Sequence, residues 1–580
     1  MPAGLQAPPL GLGAFNLGLP GPVFQWRGKA ALAGIGILFI LHALYLQVVV
    51  DDAYISFQFA RHLNQGHGLV WNVGDPPVEG YSNFLWVILL SLTDRLGIDY
   101  AAAGLVMGIA AGIGTLAYGF AFARRWFAPH YAWSWFLLIW LAAAGPLASW
   151  SSARLETSLF TFLIIASLYH LGSFVRRGAM WDVGLACLGL FLASLTRPEG
   201  IGIAGTVLWT ATVAWPGSPI GPEAGELRRR LTRFWIAFTL LVTLPFVIYV
   251  LWRMAYFQSL LPNTFHAKTG GGLRHVGRGT RYVLYFARDY LLPFLPLAAV
   301  LAMLRMRLPH LTPAPVDPPS AASAGARRAA LRLEMLLAAA VIAVFVPYLV
   351  LVGGDYMPMY RFLVPLVPLL ALLMTAFLVV LDRGASPSRF RRWAIGVAAF
   401  VTLAVTFHHS TPLERDRFGR PAVLEGTWRG IEFQRWNTAR LSQIGRFFHD
   451  YQHAPDETVA TRGVGAMAYY SGLRVIDVLG IVDPHIARVQ YQEGLIVHEL
   501  PGHSKRDWPY VLARKPTFLV LRNRLLPEPN VLEKLTGDMR QPEKEQVARE
   551  YRVVSQWMDD PVTGESGYFS FLERKDRSGP

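Results

Sequence analysis

Long apolar runs separated by short clusters of arginine dominate the pattern of this chain. The first, residues 30–50, is as long as the ~20-residue apolar helix that spans a bilayer, and two adjacent carboxylates, Asp51 and Asp52, follow it directly. Further runs occupy 101–123, 131–150, 158–175, 183–195, 200–215, 234–251, 291–304, 335–351, 363–381 and 393–406. Read as helices, they predict a polytopic α-helical membrane protein of about eleven transmembrane helices. The segment 84–92 is apolar but too short to cross, and Asp94 and Arg95 follow it, so it predicts a surface helix. Counting it as a crossing would invert every later loop. With it on the surface, Arg27 and Lys29, Arg124 and Arg125, Arg176 and Arg177, Arg228–Arg230, Arg305 and Arg307, and Arg389–Arg392 share the cytoplasmic side. One outer loop breaks the rule by holding Lys268, Arg274, Arg278 and Arg281.

Two stretches do not fit the spanning pattern. Residues 51–100 form a long first outer loop whose opening part carries Tyr54, Phe57, Phe59, Trp71, Tyr81, Phe84 and Trp86, rings that settle at headgroup level. Beyond 408 the pattern changes to LRVIDVLG, PTFLVLR and YRVVSQW, which predict strands, and to an amphipathic helix within GTWRGIEFQRWNTARLSQIGRFFHDYQ. The chain therefore divides into a membrane part, 1–408, and a soluble α/β extracytoplasmic (periplasmic) domain, 409–580. Stacking of a saccharide on the aromatic rings of that domain competes with ordinary core packing.

Composition agrees with the membrane class: 53% of residues are hydrophobic, only 16% are charged, and mean hydropathy is +0.33. A net charge of +15 would suggest nucleic acid in a soluble protein, but here the cations sit where topology signals sit. Cys187 is the only cysteine and lies in an apolar run, so no disulfide framework or thiolate metal site is expected. The first run is too long for a cleavable signal and ends in acids, so it should remain as a span. No HExxH, Walker or glycine-rich nucleotide loop occurs.

The same topology gathers the polar motifs on one face. Asp51 and Asp52, Glu79 with Tyr81 and Asn83, Arg154 with Glu156, Arg197 with Glu199, Asn263 with His266 and Lys268, and Asp355 with Arg361 all fall at outer span ends. A transporter or flippase of lipid-linked sugars, the alternative reading, would set such groups near the bilayer midplane. A one-sided rim of acids and bases instead suggests a reaction site open to lipid and to the extracytoplasmic surface. Structural roles compete at each position: a solvated helix end for the acid pair, an interfacial turn for Glu79, Tyr81 and Asn83, a helix start for Glu156, and local ion pairs for Arg197–Glu199 and Asp355–Arg361.

The motif set DDAYISFQFARHLNQGHGLVWN, VEGYSNFLW, RLETSLF, TRPEG, PNTFHAK and GGDYMPMYRFLVP resembles the GT-C superfamily of polyprenyl-phosphate-dependent glycosyltransferases. More closely it is similar to bacterial arabinofuranosyltransferases of the mycobacterial terminal type, with pilin-modifying relatives; GVGAMAYYSGLRVIDVLGIVDPHIA resembles that group's exported part. The resemblance implies transfer of a sugar, D-arabinofuranose, from a polyprenyl-phosphate donor to an extracytoplasmic glycan or glycoprotein acceptor at a bacterial plasma membrane. It places the catalytic base at Asp51, with Asp52 orienting the acceptor or holding a divalent cation. Lys268, His266, Arg197 and Arg361 would meet the departing phosphate, and His485 would approach the active face from the C-terminal domain.

Overall fold

The computed structural model describes residues 22–409 and 428–577, apart from 129, 216–221, 270–271, 307–320, 383–388, 455, 491–504, 562–563 and 565. The proline- and alanine-rich inner loop and the expected junction after residue 409 lie largely outside the described residues.

The first apolar run does not stay helical to its end. Helix α1 (Pro22–Tyr45) stops early, and residues 46–50 run on without helix to α2 (Asp51–Asn64). Val48, Val49 and Val50 are β-branched and disfavour helix. The carbonyls that lose their helical donors are met by arginines: Arg435 donates to Gln47 and Tyr45, Arg154 to Val48. Asp51 and Asp52 occupy the first turn of α2, where carboxylates suit the unpaired N–H groups.

Helix α3 (Phe84–Asp94) has 11 residues, ~16 Å of rise, too short to cross. There follow α4 (Tyr100–Trp126), α5 (Ala132–Ala143), α6 (Gly145–Ser152), α7 (Thr157–Arg177), α8 (Met180–Thr196) and α9 (Glu199–Ala214). Next come α10 (Pro222–Phe238) and α11 (Leu244–Phe257), joined by one π-helical turn, then the short α12 (Asn263–Lys268). The membrane part ends with α13 (Gly272–Phe286), α14 (Phe294–Met306), α15 (Ala321–Val352), α16 (Val367–Asp382) and α17 (Arg389–His408). One expected span, 131–150, is broken, and the stretch expected as an outer loop before residue 291 is instead helical and forms a second bent pair with α14. The chain bends by 52° between α5 and α6, where Pro146 follows, and by 54° before α14, beside Pro293.

Among the described residues, seven helices are long and apolar enough to cross a membrane, or nine if each bent pair is one span. The expected eleven would also need α8 and α9, whose 17 and 16 residues rise ~25 Å. Both pack against longer neighbours, α8 on α7 and α9 on α15.

The C-terminal part carries α18 (Trp428–Tyr451), β1 (Thr458–Thr461), α19 (Ala466–Ser471), β2 (Arg474–Asp477), α20 (Pro484–Arg488), α21 (Trp508–Ala513), β3 (Phe518–Val520), β4 (Tyr551–Asp559) and β5 (Ser566–Arg574). The sheet order is β2-β1-β3-β5-β4; the first three strands are parallel and the last two antiparallel to their neighbours. Alternation on β3 sends Phe518 and Val520 into a core shared with α18 and the membrane helices, and Leu519 into a second core with Trp508 and Leu512. The helical body and the sheet are therefore joined through packed apolar side chains.

Candidate active site

Helix ends on one side of the bundle enclose a cavity of about 710 Å³. Asp52, Ile55 and Ser56 of α2, Glu156 before α7, Arg197 between α8 and α9, Glu199 at the start of α9, Lys268 of α12, and Asp355, Tyr356 and Arg361 of the turn after α15 all line it. Its wall also takes in Leu261, Phe265, Leu273 and Leu351, apolar side chains that remain exposed on the outside. The 21 residues of α7 rise ~30 Å, so Glu156 at its start and Arg176 at its end lie a bilayer core apart. The polar groups that line the cavity therefore gather at one end of the helices.

Arg361 is the centre of the charge arrangement. Its Nε and Nη2 donate to Asp355 at 2.5 and 3.0 Å, and its Nη1 lies 3.5 Å from Asp52 Oδ2. The backbone that delivers it is unusual. Met359 and Tyr360 both have positive φ, 54° and 50°, a conformation costing non-glycine residues ~1–3 kcal/mol. Trp150 Nε1 pins this turn by donating to the carbonyls of Pro358 and Met359, and the Tyr360 hydroxyl donates to Asp289 at 2.5 Å. Tyr356 donates to Asp52 Oδ1 at 3.4 Å.

A second network holds the opposite wall. Arg197 Nη1 donates to Glu156 at 3.0 Å and its other nitrogens reach Glu199 at 3.4 Å; Tyr348 donates to Glu199 at 3.0 Å. Asn83 Nδ2 donates to the second oxygen of Glu156 at 2.9 Å and to Ser56 at 3.0 Å. In these networks Asp355, Glu156 and Glu199 are each held by an arginine. Lys268 differs: its ammonium makes no hydrogen bond or ion pair among the described residues. Burial, then the neighbouring Arg361, holds its pKa below the ordinary lysine value, with Asp52 and Asp355 opposing.

At the level of whole-chain architecture, the crystal structure of ArnT from Cupriavidus metallidurans bound to undecaprenyl phosphate matches with a TM-score of 0.53, over 96% of this chain and 99% of that one, at 11% identity. The chain has the ArnT fold. The apo state of ArnT gives the same score and coverage at 13% identity. Residues 428–572 match a family described as a domain of unknown function, DUF8728. No curated protein matches the chain.

Within this ArnT-like fold the residues expected from sequence fall into two groups. Asp52, Tyr81, Asn83, Glu156, Arg197, Glu199, Lys268, Asp355 and Arg361 line the cavity. Asp51, Glu79, Asn263, His266 and His485 lie off its lining. Asp51 turns to the C-terminal part, where its carboxylate accepts the N–H groups of Ala466 at 2.7 Å and Gly465 at 3.3 Å; burial raises its pKa to about 6 against the pull of those bonds. Glu79 is buried on Arg253, which donates from Nε at 3.0 Å and Nη2 at 2.6 Å, and its carbonyl accepts from Asn263. Asn263 clamps the carbonyls of Gly480 and Ile481 and accepts from Arg488. The His266 carbonyl accepts from Lys505 at 2.7 Å. His485 does not reach the active face: it stacks on Tyr510 at 4.0 Å and pairs with Asp507 at 2.7 Å.

The sequence reading missed Arg253, Tyr356 and Ile481. Arg253 was visible as a lone cation just beyond an apolar run, a position that usually carries a partner. Tyr356 sits inside the GGDYMPMYRF motif without a charge to mark it, and Ile481 reaches the cavity from a segment distant in sequence. The unexplained outer arginines lie on α13, where Arg278 lines the cavity and donates to the Gly353 carbonyl at 2.7 Å. Among the described residues no three His, Cys, Asp or Glu side chains gather as a metal site, and the cation beside Asp52 is Arg361.

Proposed function

We propose that the protein is a membrane glycosyltransferase that takes a sugar, D-arabinofuranose on the motif resemblance, from a polyprenyl-phosphate donor and passes it to an extracytoplasmic glycan or glycoprotein hydroxyl. The observation that carries this reading is one cavity in which a carboxylate, Asp52, faces the cations Arg361, Lys268 and Arg197 between apolar walls. The undecaprenyl phosphate named with the ArnT structure supports a lipid-phosphate ligand for the same fold.

In this reading Asp52 is the base. It takes the proton of the acceptor hydroxyl as that oxygen bonds to the anomeric carbon. The bond from the anomeric carbon to the phosphate oxygen breaks, and the departing polyprenyl phosphate gains charge. Lys268 is the cation free to meet it, with Arg361 and Arg197 behind; preorganised cations in a dry site stabilise such charge strongly. The exposed leucines and Phe265 at the mouth would admit the prenyl chain. Asp51, off the cavity, is not assigned to the proton transfer. A transporter needs ionisable groups along a path through the bilayer, whereas the cavity groups sit at one end of the bundle.

The test is turnover in nanodiscs with a panel of polyprenyl-phosphate pentoses and hexoses. Transfer by the wild type that Asp52→Asn abolishes supports the reading. Transfer undiminished in Asp52→Asn would remove Asp52 from the chemistry, and no transfer from any lipid-linked sugar would remove the activity.

A further inference from the structure

The acids that open α2 are adjacent in sequence and point apart. An α-helix turns ~100° per residue, so consecutive side chains leave on different faces. One face of α2 presents Asp52, Ile55 and Ser56 to the cavity. The other meets the C-terminal part along its length. Asp51 accepts from Ala466 and Gly465; the Tyr54 hydroxyl lies 3.4 Å from that of Tyr470; Arg61 donates to the Tyr469 carbonyl at 3.1 Å and covers the Tyr469 ring at 4.3 Å.

The partner of Asp51 is built for this contact. A Cβ on Gly465 would stand 2.1 Å from the Asp51 carbonyl oxygen and 2.5 Å from its Cγ, so only glycine permits the approach. The residues after Gly465 are in turn locked to α18, where a Cβ on Gly445 would meet the Met467 carbonyl at 2.7 Å. Asp51 thus ties the start of α2 to a rigid element of the C-terminal part, and Asp52 is the next residue on the same turn. The Asp51 carboxylate is half-buried, and its loss leaves the Gly465 and Ala466 N–H groups without their acceptor.

We propose that Asp51 is a positioning residue: by latching the first turn of α2 to the backbone of Gly465 and Ala466, it sets the place of Asp52 in the cavity. This rests on the glycosyl-transfer reading, in which Asp52 is the base. The C-terminal part then acts on the rate through α2, apart from any contact with an acceptor.

The test uses the full chain in nanodiscs, with kcat and donor KM measured separately. Asp51→Ala is expected to lower kcat about 10- to 100-fold, the usual cost of a base displaced by ~1 Å, with donor KM unchanged within about twofold. Asp51→Asn, which keeps one acceptor oxygen, should lose less. Gly465→Ala should reproduce the Asp51→Ala loss, and the double variant should be no slower than the slower single. Wild-type kcat in Asp51→Ala, or losses that multiply in the double variant, would overturn the proposal. So would Asp51→Asn as inactive as Asp52→Asn, which would put Asp51 in the chemistry itself. If the wild type transfers no sugar, the glycosyl-transfer reading fails, and amide exchange still decides the latch. Asp51→Ala should then deprotect residues 51–58 and 465–471 together, and unchanged protection of α2 overturns it.

Discussion

Arg361 is shared unequally by two carboxylates: Asp355 holds it through two hydrogen bonds of 2.5 and 3.0 Å, while Asp52 meets it only at 3.5 Å. The geometry keeps Asp52 close to a cation without committing its oxygens to a tight pair. Neutralising Asp355 removes the stronger holder, and Arg361 is then drawn onto Asp52. Asp355→Asn should therefore lower kcat/KM by about 10- to 100-fold, while Asp52→Asn, on the proposed mechanism, should lower it by ~10²–10⁴. Steady-state kinetics with the lipid donor distinguish the two. An Asp355→Asn enzyme as fast as wild type would show that the division of Arg361 does not matter.

Lys268 lines the cavity and makes no ion pair among the described residues, and burial beside Arg361 holds its pKa below the ordinary lysine value. Its positive charge is lost as pH rises, at a lower pH than for a solvated lysine. Donor binding should weaken along that alkaline limb. Lys268→Arg keeps its charge throughout and should move the limb upward, whereas Lys268→Gln should raise donor KM at neutral pH already. Initial rates across the alkaline range check the direction; a limb indifferent to Lys268→Arg would assign it to another group.

The cavity was legible where its residues stand at helix ends inside compact motifs. Asp52 follows an apolar run and Arg361 precedes one, so topology gathers them, whereas Lys268 was legible from the PNTFHAK motif of an outer loop. What local pattern cannot supply is direction and distant partners. Two adjacent aspartates read alike, yet one faces the cavity and the other bonds to a backbone 414 residues away. The early end of α1 was written in the Val48–Val50 run, and the bend after α5 in Pro146, both weak signals inside strongly apolar stretches. In the C-terminal part, strand positions were legible from alternation, and β2, β3 and β4 lie in the three stretches expected to hold them. The sheet order depends on long-range pairing and was not.

Asp477 offers a test of folding separate from catalysis. It closes β2, is buried, and accepts the N–H groups of Leu479 and Val482; burial nevertheless raises its pKa to about 6. The folded state thus holds a proton that the unfolded chain releases above its usual value near 4. The stabilisation is complete below that value and is lost as pH rises through about 6, at most ~3 kcal/mol for a shift of this size. Asp51 titrates in the same window. Asp477→Asn should therefore flatten the fall of melting temperature between about pH 4 and about pH 7 by roughly half. A slope identical to wild type would mean the carboxyl titrates normally.

Glu334 gathers charge at the end of α7 remote from the cavity. It accepts from Arg125 at 2.9 Å, Arg176 at 2.8 Å and Trp126 at 2.8 Å, and Gly172 makes room for it, since a Cβ there would stand 2.0 Å from its Oε1. Removing one charge from such a cluster leaves the others buried and uncompensated. Glu334→Gln should cost about 3–5 kcal/mol, measured as a lower midpoint of unfolding in detergent. Converting Arg125, Arg176 and Glu334 together to apolar residues should cost less than Glu334→Gln alone, because no charge is left to desolvate. Since Arg176 stands ~30 Å along α7 from Glu156, turnover per folded molecule should be unchanged in both variants. A fall in kcat without a fall in stability would instead tie this cluster to the reaction.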